Sequence, residues 1–244
     1  MLRFFHNHGF LGLKTQHPWW TVTHGAREYV DRLVRPFADR IRQACPAIAI
    51  RRELGGAVVT AKDGQSVFFD KVILAAHANE SLILLKDADS QEEQVLGKFH
   101  YRSNLITIHS DETLMPRTKM AWASWNYRMG EDSQGNPLPQ TLYWMNRLQN
   151  LDCRQNYFVS VNGSSEINPE TVHRRIEYTH PQFTVEAVRA QAQLPLLNRR
   201  SPNQAVYFAG SYFRYGFHED AYGSAVDLAG VLLGKPIYPG LGWL

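Results

Sequence analysis

The residues with the clearest chemical potential lie near the C-terminus, between Val206 and Gly230. A short apolar run ends at Gly210, a turn rich in glycine and aromatic residues follows, and a helix of small residues begins near Glu219. This order predicts a strand, a turn and a helix N-terminus. The first-turn N–H groups and the dipole of a helix attract an electronegative ligand atom. The pattern therefore indicates either a ligand site or an ordinary strand-to-helix connection with good capping.

Single positions in this stretch suit a ligand. Gly210 permits close backbone approach, Ser211 offers a hydroxyl, and Gly216 can adopt a positive φ before the helix. Glu219 and Asp220 suit the positive end of the helix dipole. The N–H groups predicted to be unsatisfied in the first turn are those of Phe217, His218 and Glu219.

The elements expected to position this stretch begin upstream. Residues 47–50, 57–60 and 67–69 predict a three-stranded meander, in which Asp63-Gly64 is a hairpin signal. Residues 71–76 form an apolar run without alternation, which predicts a strand buried on both faces.

Helices are predicted around these strands. One leads from His77 to Leu85, and another covers residues 91–97, with Ser90 as its N-cap and Glu93 completing a capping box. Residues 19–22 predict a short strand before a helix that opens at residues 23–26, and Pro36 should kink that helix. The apolar face of this helix comprises Tyr29, Val30, Leu33, Val34, Phe37 and Ile41.

The second half of the chain reads as aromatic-rich sheet. Strands are predicted at residues 105–108, 120–125, 142–145 and 157–161, with a loop at 135–139 and a helix over 183–193. The aromatic cluster of Trp122, Trp125, Tyr127, Tyr143 and Trp144 either lines an apolar pocket or packs as sheet core. Arg102, Arg117 and Arg147 either hold a substrate carboxylate or phosphate, or lie in solvent.

Composition excludes several classes of protein. The 244 residues suffice for one large domain or two modest ones, and the net charge of +3 is too small to indicate nucleic acid as a partner. No apolar run approaches the roughly 20 residues that span a bilayer. Cys45 and Cys153 lack metal-binding or disulfide spacing, which favours a reducing, cytoplasmic location and no metal site.

The order of segments resembles that of FAD-dependent amine oxidases. The residues that carry the resemblance are 19–30 for the segment in which a Gly-Gly pair opens a helix, 45–50 for the next strand, 70–78 for the strand toward the substrate domain, and 207–211 for the closing strand. Residues 109–117 and 121–127 are similar to a bacterial branch of that superfamily, described as NAD/FAD-binding oxidoreductases. The resemblance covers nearly the whole chain.

The resemblance implies roles for single residues. Ala47 would contact adenine, and Ala75 and Ala76 would lie against the ribose and pyrophosphate. Gly210, Ser211, Gly216 and Glu219 would belong to the ribityl and phosphate end or to the start of the helix. Phe217 would face the isoalloxazine, and the His218 N–H would approach the flavin pyrimidine carbonyl oxygen, where negative charge develops on reduction.

The chain also departs from the family pattern. His24-Gly25 stands where the family has Gly-Gly, and Asn104 stands near the place of a lysine common in amine oxidases. The dinucleotide-binding motif G-x-G-x-x-G is not present. The chain thus resembles the C-terminal portion of a longer flavoprotein, so we expect FAD binding by this chain alone to be weak.

The resulting prediction is an α/β fold: an incomplete FAD-binding domain (residues 20–78 and 203–244) with an inserted, mostly antiparallel α+β substrate domain (residues 1–19 and 79–202). The predicted function is hydride transfer from an apolar or amphipathic small molecule to FAD. The alternative is a non-catalytic fragment that binds FAD weakly or not at all. An apolar face exposed where the family's N-terminal unit would sit predicts self-association.

Overall fold

The computed structural model describes residues 2–15, 18, 20–131, 134–163, 166–200 and 204–237, so Trp19 lies outside the described residues. The chain divides into two compact units. Unit 1 comprises Met1–Ile41 and Leu105–Glu177, and unit 2 comprises Arg42–Asn104 and Tyr178–Leu244. These boundaries group residues 20–41 with unit 1 and residues 79–104 and 178–202 with unit 2, unlike the predicted domains. Which unit binds FAD and which binds substrate stays a prediction.

Unit 2 contains the predicted meander. Strands β1 (Ala47–Glu53), β2 (Gly56–Ala61) and β3 (Ser66–Phe69) form an antiparallel sheet in the order β1-β2-β3. The turn between β2 and β3 contains Gly64 at φ 86°, the left-handed conformation that the Asp-Gly signal requires.

A pair of parallel strands forms the second sheet of unit 2. Strands β4 (Val72–Leu74) and β10 (Val206–Phe208) pair with Tyr207 opposite Ile73. Val206, Phe208 and Leu74 belong to the main hydrophobic core, whereas Tyr207 packs with Leu228 on the other face. Ile73 is 48% exposed, so the prediction of a strand buried on both faces is wrong there. Ile73 is not among the side chains that pack with Tyr207 and Leu228 on that face.

Helices surround these sheets. Unit 2 contains α3 (Ala78–Leu84), α4 (Ser90–Leu96), α6 (Val185–Gln191), α7 (Leu194–Leu197) and α8 (His218–Leu233). The helix after His77 and the helix within 183–193 are thereby confirmed. The predicted cap of α4 is wrong by one residue, because the Asp89 carboxylate, rather than the Ser90 hydroxyl, accepts from the backbone N–H groups of Gln91 and Glu92.

A buried ion-pair network joins the meander to α4. Glu92 is buried and accepts from the guanidinium of Arg52, which also pairs with Asp87 at 3.2 Å. Arg200 lies 3.6 Å from Glu92 and also binds Asp89. Each buried charge in this network has a partner of opposite sign, as burial requires.

Unit 1 is built on a five-stranded sheet in the order β6-β7-β8-β5-β9. The strands are β5 (His100–His109), β6 (Trp125–Glu131), β7 (Pro137–Trp144), β8 (Phe158–Val161) and β9 (Val172–Gln182), and the chain passes between the two units within β5 and within β9. The helices are α1 (Leu2–Asn7), α2 (Arg27–Val34) and α5 (Met145–Leu148).

Several predictions for unit 1 need correction. Residues 20–22 are not a strand, and residues 119–121 form a 3-10 turn, so the strand predicted at 120–125 begins only at Trp125. The Trp122 indole donates to the Pro116 carbonyl at 2.7 Å and buries its ring, which holds this segment as a loop. The loop predicted at 135–139 instead begins β7 at Pro137.

Other predictions for unit 1 are confirmed. Helix α2 ends at Val34 and a 3-10 segment containing Pro36 follows, as expected where proline interrupts a helix. None of the helices in the described part of the chain has both the length and the apolar character needed to cross a membrane.

Candidate functional site

The predicted site residues gather at the carboxyl edge of the parallel pair. Ala75 directly follows β4, and Ala209 and Gly210 follow β10, where the Ala209 N–H donates to the Leu74 carbonyl at 3.0 Å. A Cβ on Gly210 would lie 3.7 Å from the Ala76 carbonyl oxygen. The structure therefore brings the two predicted segments together at the edge where open α/β sheets bind ligands.

The turn after β10 leaves little room for side chains. Gly210 has a φ of 157°, and a Cβ there would lie 2.6 Å from a ring carbon of Tyr212. Ser211 begins a short 3-10 turn, and Gly216 adopts a φ of 92° before the helix, as predicted. The Gly210 N–H donates to the Ser224 hydroxyl at 2.9 Å, which fixes the turn against α8.

The start of α8 is organised by a buried carboxylate. Asp220 accepts from the Phe217 N–H at 2.9 Å and from the Tyr215 N–H at 3.2 Å. The N–H of Phe217 is therefore satisfied, and the prediction that it is an open donor is wrong. Its ring stays half exposed, and the side chains of His218 and Glu219 are exposed on the first turn.

Ala47 belongs to a different sheet from the one that this turn follows. It begins β1 opposite Ala61, within the meander rather than the parallel pair. Its implied adenine contact stays a prediction.

A cluster that the sequence did not indicate follows Ala76. The His77 ring stacks on Tyr101 with centroids 4.2 Å apart. The His77 Nδ1 lies 3.7 Å from a Glu80 carboxylate oxygen and 3.4 Å from the Thr179 hydroxyl. His77 could have been singled out because it follows a buried strand, but its contacts with Tyr101 and Thr179 are distant in sequence and follow no pattern.

Two tyrosines contact the segments at this edge: Tyr212 is buried and Tyr101 is partly buried. Burial raises the pKa of Tyr101 against the opposing effect of the Ala78 N–H, and the Glu80 carboxylate raises it further. Burial also raises the pKa of Tyr212 far above its usual range, so its phenol is neutral. The Tyr212 hydroxyl is buried without a hydrogen-bond partner among the described residues.

Features of this edge suit one end of a dinucleotide cofactor. The backbone at Gly210 has no Cβ, and an exposed helix N-terminus follows. The Tyr212 ring packs beside Gly210, and its buried hydroxyl has no hydrogen-bond partner among the described residues. These residues fit a polar, electron-rich ligand. Within the described ranges, His, Cys, Asp and Glu side chains do not form a group of three or more that could hold a metal ion.

Residues 109–117, one of the segments that carry the family resemblance, stabilise the fold of unit 1. Asp111 accepts from the Asn168 N–H at 2.9 Å and from both the N–H and hydroxyl of Thr113. Burial alone would raise the pKa of Asp111, but these hydrogen bonds outweigh it and lower the pKa. Met115 and Trp122 join Leu142 and Phe158 in a core cluster.

The aromatic cluster proposed from the sequence divides between core and surface. Trp122 is buried and contacts Trp144 edge to face, whereas Trp125 and Tyr127 are 60% and 64% exposed along β6. Arg102, Arg117 and Arg147 have exposed side chains.

Residues 2–115 match the family model described as flavin containing amine oxidoreductase. This part of the chain is similar to that family. Solved structures with a similar fold include a CLA-producing fatty acid isomerase from P. acnes, with 14% identity, a TM-score of 0.56, and coverage of 87% of this chain and 52% of that one. Putrescine oxidase gives 13% identity and a TM-score of 0.55, covering 87% and 53% of the two chains.

Cyclohexylamine oxidase from Brevibacterium oxydans IH-35A is similar too, with 13% identity, a TM-score of 0.55, and coverage of 93% of this chain and 57% of that one. No curated protein matches this chain in sequence. The chain spans about half the length of these solved structures. The predicted α/β fold with antiparallel sheet and the resemblance to flavin amine oxidases are confirmed.

The backbone at His24-Gly25, where the sequence departs from the Gly-Gly of the family pattern, is left-handed at both residues. His24 adopts a φ of 66° and Gly25 a φ of 90° where amine oxidases have two glycines. The backbone thus keeps a left-handed conformation at both positions, although a Cβ is present at the first.

Proposed function

We propose that this protein is an FAD-dependent oxidoreductase of the amine-oxidase-like superfamily, acting on an apolar or amphipathic small molecule. The carboxyl edge of β4 and β10, continued by the start of α8, is the observation that carries the proposal. When bound, FAD would supply the hydride-accepting chemistry. The match of residues 2–115 to flavin containing amine oxidoreductases supports the same assignment.

The residues of this edge would orient the cofactor. Gly210 and Ser211 would approach its ribityl and phosphate end, because the backbone at Gly210 carries no side chain. The His218 N–H at the first position of α8 would point toward the pyrimidine carbonyl, where a helix N-terminus stabilises negative charge. Phe217, half exposed, would face the ring system.

An apolar substrate is supported by the sheet of unit 1. Trp125, Tyr127 and Met129 alternate along β6 and all three side chains are exposed. Side chains two residues apart on a strand share a face, so these form one apolar stripe. Exposed apolar stripes of this kind are typical of surfaces that bind apolar groups.

The proposal is tested by adding FAD to the purified chain. Flavin fluorescence and the visible absorption bands report binding, and the expected result is saturable binding with one FAD per chain. Gly210→Val should weaken it strongly, because the added side chain would meet the buried Tyr212 ring and displace the backbone of the turn from the carboxyl edge. Arg147→Gln, an exposed residue of α5 in unit 1, serves as the control. A chain that takes up no FAD at any concentration contradicts the proposal for this chain alone.

A second candidate is that the chain binds FAD weakly unless another segment completes its parallel sheet. Alternate peptide groups of a parallel strand face the same neighbour. The Val72 N–H donates to the Ala205 carbonyl and the Leu74 carbonyl accepts from the Ala209 N–H, the residues on either side of β10, so the peptide groups of Ile73 face the opposite edge of β4. Among the described residues, no strand pairs along that edge.

The other edge of the pair is already closed. The buried amide of Asn198 donates to the Phe208 carbonyl at 2.8 Å and accepts from the Phe208 N–H at 2.9 Å. Gln204 donates to the Val206 carbonyl in the same way. A third strand can therefore be added only beside β4.

The glycine-rich βαβ unit that the family places before this region is the proposed third element. Fusing such a unit from an amine-oxidase relative to the N-terminus should tighten FAD binding by about 100-fold or more, because the pyrophosphate gains a helix N-terminus and close backbone contacts. Equal affinity for FAD with and without the added unit contradicts this second candidate and favours the first, in which the chain binds FAD on its own.

A further inference from the structure

Unit 1 contains a cleft of about 440 Å³, which is within the size range of small-molecule sites. Residues 113–117 form one side of the cleft, and strands β6, β7 and β8 form the other. None of the residues predicted to contact FAD lines it. An inference drawn from this cleft therefore goes beyond the proposed flavin chemistry.

The orientation of one buried histidine sets the polarity of the cleft. His109 lies at the end of β5, and its Nδ1 accepts the backbone N–H of Asp111 at 3.2 Å. Burial lowers the pKa of His109, outweighing the nearby Asp111 carboxylate, which raises it, so the ring is neutral near neutral pH. A neutral imidazole that accepts at Nδ1 must carry its proton on Nε2.

The serine beside this histidine is left with a hydroxyl hydrogen to donate. The His109 Nε2 lies 2.8 Å from the Ser160 Oγ, so the imidazole donates and the serine oxygen accepts. Ser160 is 5% exposed and lines the cleft, and no other described residue hydrogen-bonds its hydroxyl. An acceptor atom inside the cleft would therefore satisfy a buried donor, which gains more than a contact in solvent.

The same hydrogen-bond direction excludes a hydrolytic role for this pair. A histidine that activates a serine must accept the serine proton at its near nitrogen. The near nitrogen of His109 already holds a proton, and its far nitrogen is engaged by the Asp111 N–H rather than by a carboxylate. The pair can bind a ligand but is not set up to generate a nucleophile.

Positive charge at the cleft comes from Arg117. None of the described lining residues is acidic. Arg128 is paired with Glu166 at 2.6 Å, and the Gln140 amide also reaches Glu166. Arg117 forms no ion pair with any described residue, so its guanidinium is available to an anion.

The remaining wall is apolar. Leu114, Met115 and Leu142 line the cleft, and the last two belong to the core cluster of unit 1. We infer that this cleft binds the head group of an apolar carboxylic acid, with the carboxylate held by Arg117 and the Ser160 hydroxyl and the first carbons of the chain against these side chains.

Octanoate is the probe that tests this inference, with octanol and octylamine as analogues of equal chain length. Calorimetry on the full chain, without FAD, should show one octanoate site and binding of the two analogues at least about 10-fold weaker, since neither offers an anionic acceptor to a guanidinium. Because FAD is absent, failure here is distinguishable from failure of the flavin proposal.

Single substitutions assign the contacts. Arg117→Gln should weaken octanoate binding by about 10-fold or more, Arg117→Lys should retain part of it, and Ser160→Ala should weaken it by about threefold. Arg147→Gln, an exposed arginine of α5 that does not line the cleft, is the matched control and should change nothing. Absent octanoate binding, equal octanol binding, or an unchanged affinity in Arg117→Gln overturns the inference.

Discussion

At the scale of single residues, His109 makes the stability of unit 1 sensitive to acid. Burial holds its folded pKa below the unfolded value of about 6.5, so the unfolded chain binds the proton more readily. The contribution of the neutral His109 ring to stability is complete above about pH 6.5. It is lost as the pH falls from there through the folded pKa, because the unfolded chain takes up the proton first.

We expect His109→Gln to reduce this loss, because a glutamine amide does not titrate and can keep one donor and one acceptor. The slope of the free energy of unfolding against pH should differ between the two proteins by no more than about 1.4 kcal/mol per pH unit, the limit for one proton. Urea unfolding followed between about pH 7 and pH 5 measures it. Parallel profiles for the two proteins would show that His109 is not the acid-sensitive group.

A backbone N–H, rather than a side chain, is predicted to contact the flavin at His218. His218→Pro removes that N–H, and proline is well tolerated at the first position of a helix. His218→Ala keeps the N–H and removes the imidazole. With FAD bound, the proline variant should have a more negative flavin reduction potential, equivalent to about 1 kcal/mol of lost stabilisation of the reduced flavin. A shift of equal size in both variants would assign the effect to the imidazole instead.

At the scale of elements, the start of α8 depends on one carboxylate. Asp220→Ala would leave the N–H groups of Tyr215 and Phe217 without their acceptor, so we expect a loss of about 1–2 kcal/mol in the free energy of unfolding. Asp227, exposed on the same helix, gives the matched control, and Asp227→Ala should change stability by less than about 0.5 kcal/mol. Similar losses in urea unfolding of both variants would refute the capping role.

The sequence predicted those elements whose signals are local. The meander, the break at Pro36 and the left-handed Gly216 follow from neighbouring residue types, and the structure confirms each. The role of Asp220 was missed because its helix begins after Phe217, whose side chain cannot act as a cap acceptor and so hides the usual pattern.

Features that depend on distant residues could not be predicted. Asp89 and Ser90 are both good cap residues, and the choice of Asp89 coincides with its ion pair to Arg200, far along the chain. Residues 120–125 have strand-like composition, but the buried Trp122 and its bond to Pro116 hold them outside the sheet. The contacts of His77 with Tyr101 and Thr179 likewise arise only on folding.

At the scale of the whole molecule, exposed apolar side chains predict self-association. Helix α2 has no buried residue, and Leu33 on its apolar face is 58% exposed. We expect sedimentation at increasing protein concentration to show reversible oligomers, and Leu33→Glu to shift them toward monomer, because a charge there opposes apolar contact. Glu28→Gln, on the same helix, serves as the control. A monomer at all concentrations for the unchanged chain contradicts the prediction.

Because the chain forms two units, each proposed ligand should slow amide exchange in one of them. The edge proposed to bind FAD belongs wholly to unit 2, whereas the cleft proposed to bind a carboxylate belongs wholly to unit 1. A ligand that binds the folded state but not the unfolded state stabilises the unit to which it binds.

Backbone hydrogen–deuterium exchange with and without FAD tests the flavin site most directly, because it reports each amide along the chain. We predict slower exchange in residues 73–78 and 209–220 when FAD is present, with no change in β6, β7 or β8. FAD binding that protects only unit 1, or that leaves both of these segments unchanged, would contradict the assignment of the β4–β10 edge and the start of α8 as the flavin site.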